Sequence, residues 1–254
     1  MTLPLQASAQ VPTNALGQIT GDFYNNGTPV VVYLSAPVDH ECTVSVYDPA
    51  KKTTTPLETI HYWLKDEFVT GRIRKDLPPV FAYVYDGACA ANFSAYKFYL
   101  WDGTAFKLIL DASSGLAGAP PDFEDLDHNG TNELVFENAI GHYRHPSDIF
   151  KWNDTKKVFE EASNQFPGFW EPLIQKEMAE LKSWHYSPNS RGPLVYCPVI
   201  EGYLLKRGGQ ADVAEFLALS DRQLQFLLED KKNNYLQQRA VEMKRMIHRM
   251  FKSS

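Results

Sequence analysis

A chain of 254 residues with 44% apolar and 13% aromatic side chains can bury one large core or two smaller ones, which excludes an intrinsically disordered protein. The formal charge of −6 argues against a general nucleic-acid binder, and no stretch reaches the roughly 20 uninterrupted apolar residues of a membrane-spanning helix. The charge is uneven, because Lys231 to Lys252 holds seven Lys or Arg against Glu242 alone.

At the N-terminus, Ala7-Ser8-Ala9 before Gln10 has the small-x-small form of an export cleavage site, without the basic start and long apolar stretch of a signal peptide. Residues 1–16 are read as a flexible N-terminus holding either a signal remnant or a chance match. From about residue 17 to 165 short β-like runs follow one another between turn residues: Thr28 to Ser35, Cys42 to Tyr47, Glu58 to Trp63, Phe68 to Arg74, Val80 to Tyr85, Tyr96 to Trp101, Phe106 to Leu110, Glu133 to Glu137 and Asp148 to Trp152. Alternation such as Val44 and Val46 against Thr43 and Ser45 puts apolar side chains on one sheet face, as in an antiparallel meander. Asp102-Gly103 between two such runs predicts a two-residue hairpin turn.

The period changes over 166–254. Glu171 to Leu181 sets Leu173, Ile174, Met178 and Leu181 on one helical face, with Pro172 in the first turn. Val199 to Lys206 and Val213 to Leu219 read as short helices divided by Gly208-Gly209. Ser220, with Gln223 three residues on, reads as the N-cap of a long terminal helix. Its stripe of Leu224, Leu227, Leu228, Leu236, Ala240, Met243, Ile247 and Met250 must pack on something, and its basic end suits the helix dipole.

The richest stretch is Asp122 to Phe136, DFEDLDHNGTNELVF. Counted from Asp125, oxygen-bearing side chains stand at positions one, three, five and nine as Asp125, Asp127, Asn129 and Glu133, with Gly130 at six and Thr131 offering a carbonyl at seven. Alternate residues of a tight loop can turn their oxygens towards one hard cation, and Ca²⁺ takes six to eight of them at about 2.3–2.6 Å. An EF-hand needs Glu at position twelve and flanking helices, whereas Phe136 stands there after strand-like residues. The plainer reading is an Asn-Gly turn whose acids keep it wet. An ungapped echo runs from Asp22 to Val32 (DFYNNGTPVVV), but Tyr24 and Val30 replace the carboxylates at positions three and nine, so that loop should hold its shape without metal. KFYLWDGTAFKLI and DIFKWNDTKKVFEE form a second pair of echoes, each a strand, a Trp-led turn and a strand.

D-x-D-x-N-G-x-x-E-L-V resembles the calcium loop of integrin-type FG-GAP repeats, also called VCBS-like repeats. The resemblance covers about a dozen residues. It implies a Ca²⁺ cofactor on Asp125, Asp127, Asn129, Thr131 and Glu133, a loop joining two strands, and hairpins like those of the second echo. Such repeats often build β-propellers, and about 145 residues of β sequence fit a partial propeller or a twisted sheet assembly.

No catalytic set emerges. His142 and His145 in GHYRHP are separated by a spacing that faces opposite sides of a strand, and His40, His61 and His185 have no constellation. Cys42, Cys89 and Cys197 lack metal spacing. Cys42 and Cys89 could pair in an oxidising compartment, although buried thiols are the plainer reading. Trp63, Tyr83, Tyr85, Tyr96, Phe98, Tyr99, Trp101, Phe166, Phe169 and Trp170 could line a carbohydrate or peptide groove, or simply fill core. The expectation is therefore an α+β protein: an antiparallel β-rich repeat module at 17–165 and a helical C-terminal region at 166–254. It acts as a non-enzymatic, periplasmic or secreted, otherwise cytoplasmic, binding protein with structural calcium and a protein or carbohydrate partner. The alternative is an exported hydrolase of polysaccharide or peptide with unassigned residues.

Overall fold

The computed structural model describes residues 11, 13–39, 41–61, 68–85, 94–114, 120–140, 143–183, 213–229 and 234–251. The β strands form three four-stranded sheets, each made of strands that neighbour one another in chain order. The first joins β1 (Gly17–Gly21), β2 (Val30–Leu34), β3 (Glu41–Asp48) and β4 (Thr53–His61); the second joins β5 (Phe68–Gly71), β6 (Val80–Tyr85), β7 (Ser94–Trp101) and β8 (Phe106–Ser114). Every pair in these two sheets is antiparallel, as the alternation predicts. The third joins β9 (Asp122–Glu124), β10 (Glu133–Ile140), β11 (Tyr143–Asn153) and β12 (Val158–Glu161).

The expected strand runs appear as β2 to β8, β10 and β11. The additional strands β1 and β9 are short and largely polar, GQITG and DFE, and β1 owes its form to the ladder that pairs Gly17–Gly21 with Val30–Leu34. β2 is a continuous apolar run because it lies between β1 and β3, and Val30, Val32 and Leu34 are buried. They share one core with Val44, Val46, Phe81, Tyr83 and Tyr99 of the first two sheets and with Phe23 of the β1–β2 loop. Burying each large apolar side chain contributes about 1.5–3 kcal/mol over leaving it in water.

The last two strands of every sheet are joined by the same device. Asp48 Oδ1 accepts the N–H groups of Ala50 and Lys51 at 3.0 and 3.1 Å, Asp102 Oδ1 those of Thr104 and Ala105 at 2.8 Å, and Asn153 Oδ1 those of Thr155 and Lys156 at 3.0 Å. An Asx side chain thus replaces a backbone acceptor at each reversal. The Trp101 turn is consequently four residues long, Asp102 to Ala105, rather than two, because the carboxylate captures two successive amides.

The chain divides into two compact units, Met1–Leu134 with Lys151–Glu160, and Val135–Phe150 with Glu161–Ser254. In the second unit a 3₁₀ turn, Ser163–Gln165, leads into α1 (Pro167–Ser183). This helix starts earlier than expected, with Pro167 as its first residue, so Pro172 falls beyond the first turn. Its Trp170 is fully buried and donates its indole N–H to the Ser163 carbonyl at 2.7 Å. Next come α2 (Val213–Glu229) and α3 (Asn234–Phe251). Ser220 is not an N-cap: α2 runs through it, and its side chain lies in the buried stripe between Phe216 and Leu224 at helical spacing. The long terminal helix is therefore two, α2 and α3, and Leu224, Ala240 and Ile247 are the buried members of the expected stripe whose side chains are described. The segment Val199 to Lys206 with Gly208-Gly209 lies outside the described residues.

Candidate metal centre

Residues 125–132 join β9 to β10 in a tight loop with His128 at φ 57° and Gly130 at φ 85°. The positive φ explains the glycine, which takes that conformation at no steric cost. Asp125 closes the loop from inside: its two carboxylate oxygens accept the N–H groups of Asn129 at 2.9 Å and Gly130 at 3.0 Å. Asn129 Oδ1 accepts the Thr131 N–H at 2.7 Å. Asn132 ties the loop outward, its N–H to the Ile73 carbonyl at 2.7 Å and its side-chain amide to the Arg72 carbonyl at 2.8 Å.

The loop between β1 and β2 has the same construction. Asp22 accepts the N–H groups of Asn26 and Gly27 at 3.0 and 2.8 Å, Asn26 Oδ1 accepts that of Thr28 at 2.9 Å, and Asn25 and Gly27 have φ 55° and 82°. Aspartate at position one, Asn at five and Gly at six therefore shape the backbone by hydrogen bonding alone. Carboxylates at positions three and nine are what set the second loop apart.

At position nine the first loop buries Val30 completely, and the second buries Glu133 just as completely. Glu133 Oε2 accepts the Leu126 N–H at 3.0 Å, whereas Oε1 has no hydrogen-bond partner among the described residues. Burial, reinforced by the neighbouring negative charges of Asp127 and Asp125, raises the Glu133 pKa. A buried carboxylate oxygen without a partner costs about 1–3 kcal/mol or more. A cation or a hydrogen-bond donor beside it would offset that cost.

One carboxylate oxygen from each of Asp125, Asp127 and Glu133 lies within 4.8 Å of the others. Oxygens around one ion at about 2.3–2.6 Å are at most about 5 Å apart, so the three can share a cation. Asp127 is exposed and Asp125 half-buried, which gives the cluster an open side towards solvent and a dry side at Glu133. Lys151 on β11 is the cation already present: its Nζ lies 2.6 Å from Asp127 Oδ2 and holds the Asp127 pKa below the usual carboxylate range. With the carboxylates ionised, three negative charges against one ammonium leave a shortfall equal to one divalent ion. The donor set is all oxygen, which suits a hard cation.

The other two expected ligands stand as follows. Asn129 is exposed with its Oδ1 already accepting from Thr131, and Thr131 is half-buried at the start of the approach to β10. Lys151 lies 24 residues from Asp127 in sequence and escaped notice there, because nothing in a lone strand lysine announces which acid it will meet. Of the expected histidines, His145 is on β11 and His142 lies outside the described residues, as does Cys89; Cys42 is buried.

A second charged cluster lies apart from the loop. Glu58 accepts the hydroxyls of Tyr83 and Tyr99 at 2.6 and 2.8 Å and pairs with Lys97. Burial opposes its ionisation, but these bonds outweigh burial and lower its pKa, while burial and the Glu58 charge raise both tyrosines. Each group serves another's hydrogen bonds, so the cluster reads as a polar rivet at the edge of the core. Tyr83, Tyr96, Phe98, Tyr99, Phe166 and Trp170 are buried as core, whereas Trp101 remains half-exposed.

No protein-family model matches the chain, and no curated protein matches it either.

Proposed function

We propose that the protein is a non-enzymatic binding module of the FG-GAP or VCBS-like kind, in which the Asp125–Glu133 loop holds one structural Ca²⁺. Asp125, Asp127 and Glu133 are its acidic ligands, with the Asn129 side chain and the Thr131 carbonyl completing the set. The ion supplies rigidity: it neutralises the buried Glu133 and fixes the start of β10. The observation that carries this reading is the buried Glu133 oxygen, without a hydrogen-bond partner among the described residues, beside two further carboxylates at a position where the sister loop has Val30. Three successive four-stranded sheets with the same Asx-closed hairpin support a repeat array of blade-like units, as in a partial propeller.

A site open on one side and already bearing a lysine suits the calcium concentrations outside the cytoplasm, where Kd values of about 10⁻⁴–10⁻³ M suffice. That agrees with a periplasmic or secreted protein whose partner is a protein or a carbohydrate. The test is thermal unfolding in chelator and in millimolar calcium: the wild type melts higher with calcium, and Asp127→Ala does not respond. An unchanged wild-type melting curve overturns the proposal.

A further inference from the structure

The degenerate loop has a cavity beside it. A volume of about 440 Å³ is lined by Tyr24, Asn25, Leu77, Trp101, Asp102 and Lys157, among others, which falls within the range of small-molecule sites. Tyr24 stands at position three, where the intact loop has Asp127, and Asn25 stands where it has His128. The loop that lacks two metal carboxylates therefore offers an aromatic ring and an amide to a cavity instead.

The aromatic part is fixed before any ligand arrives. Trp101 meets Tyr24 edge to face at 4.6 Å and Phe106 at 5.1 Å, with interplanar angles of 61° and 59°, so neither neighbour lies flat on the indole. Tyr24 itself stacks on Phe106 at 5.6 Å and carries the Lys51 ammonium 5.0 Å from its centroid, which leaves its hydroxyl as its remaining polar contribution. Preset rings cost little ordering entropy on binding. Beside the indole the rim is open, since a Cβ added at Gly103 would meet no atom within 4 Å.

The polar part is neutral and rich in unused donors. Asp76 is engaged by Arg74 at 2.6 Å, and Asp102 has Thr104 and Ala105 on one oxygen with Lys107 at 3.8 Å from the other. Two carboxylates are matched by Lys107 and Lys157 on the same lining, so no net charge selects an ion. The Trp101 indole N–H, the Tyr24 hydroxyl and the side-chain amide nitrogen of Asn25 have no hydrogen-bond partners among the described residues. Carboxylate oxygens at Asp76 and Asp102 keep lone pairs as acceptors.

We propose that this cavity binds an uncharged saccharide, one sugar ring lying against Trp101 with its hydroxyls bonded to Tyr24, Asn25 and Asp102. A sugar ring has an apolar C–H face, which packs on an electron-rich aromatic face, and a rim of hydroxyls that both donate and accept. A charged ligand would leave the balanced rim uncompensated. A purely apolar one would desolvate three donors without replacing their water. The inference does not depend on the calcium loop.

The experiment is saturation-transfer NMR and calorimetry of the full chain against glucose, galactose, mannose, N-acetylglucosamine and their β-linked disaccharides, with adenosine and an Ala-Gly-Ser peptide as non-sugar probes. At least one sugar binds in the millimolar range or tighter, with saturation strongest at ring C–H protons, and equally in calcium and in chelator. Trp101→Ala weakens it by about tenfold or more, Trp101→Phe keeps part of it, and Tyr24→Phe weakens it by about 3- to 10-fold. Should Trp101→Ala not fold, the two conservative variants carry the comparison. Binding of no sugar, sugar binding indifferent to these variants, or preference for the peptide or adenosine each overturns the proposal.

Discussion

Glu133 and Val30 hold the same station in two loops of one shape: each is the ninth residue after its leading aspartate inclusive, each begins the following strand, and each is fully buried. The backbone there leads into a dry slot. Valine fills it with apolar surface and needs nothing more. Glutamate brings a carboxylate with one oxygen bonded to the Leu126 N–H and the other without a hydrogen-bond partner among the described residues. The two loops thus differ in the polar group they bury at one station, and that yields a direct exchange experiment.

Glu133→Val should make the second loop self-sufficient. In chelator the variant gains about 1–3 kcal/mol over the wild type by removing an unpartnered buried oxygen, and it loses any response to calcium. Denaturant unfolding with and without calcium measures both. A variant less stable than wild type in chelator would show that Glu133 is already compensated within the protein.

On the proposed reading Lys151 competes with the ion for Asp127. Its ammonium occupies Asp127 at 2.6 Å with both side chains about a third exposed, so the pair itself contributes little stability in water. Lys151→Met should tighten calcium binding roughly fivefold, on the order of 1 kcal/mol, by removing repulsion of the incoming ion. Calorimetric titration of both proteins at low salt reads the change. Weaker binding in the variant would mean that Lys151 orients Asp127 for the ion.

Much of this loop was legible because its chemistry is local. Asp125, Asn129 and Gly130 hydrogen-bond within five residues, so their spacing in sequence is their geometry in space. β2 and β6 were legible for a similar reason, as unbroken apolar runs. β1 and β9 were not, because GQITG and DFE carry no strand pattern of their own. The continuity of α2 through Ser220 was hidden by a residue that caps helices when exposed but here replaces one member of a buried stripe. The separation of Trp101 from the buried aromatics around it also depends on tertiary packing, which alternation does not encode.

Glu58 gives a pH dependence of its own. Its folded pKa is lowered, so its contribution to stability is complete above the unfolded value of about 4.3 and is lost as pH falls through the lower folded value. Glu58→Gln should cost about 1–3 kcal/mol near neutral pH, since Lys97 and two tyrosine hydroxyls lose a charged acceptor, and the difference from wild type should shrink under acid. Unfolding free energies from pH 7 to pH 3 provide the check. A constant difference across that range would remove Glu58 ionisation from the account.

Gly71 is required by Phe123, two residues before Asp125 of the proposed metal loop. A Cβ at Gly71 would come within 2.2 Å of the Phe123 ring, which also packs edge-on against Phe98. Gly71→Ala should cost about 1–3 kcal/mol by forcing that ring aside. If calcium affinity falls with it, β9 is what holds Asp125 in register; unfolding and calcium titration of the same sample separate the two effects.

The most direct test of the central claim is the melting temperature of the intact chain in chelator and across a calcium series, with Asp127→Ala alongside. Calcium at about tenfold over Kd should stabilise the wild type by about 1.4 kcal/mol, a rise of roughly 3–6 °C, and leave Asp127→Ala unmoved. Wild-type curves that superimpose up to about 10 mM calcium, or a variant that rises equally, would contradict it.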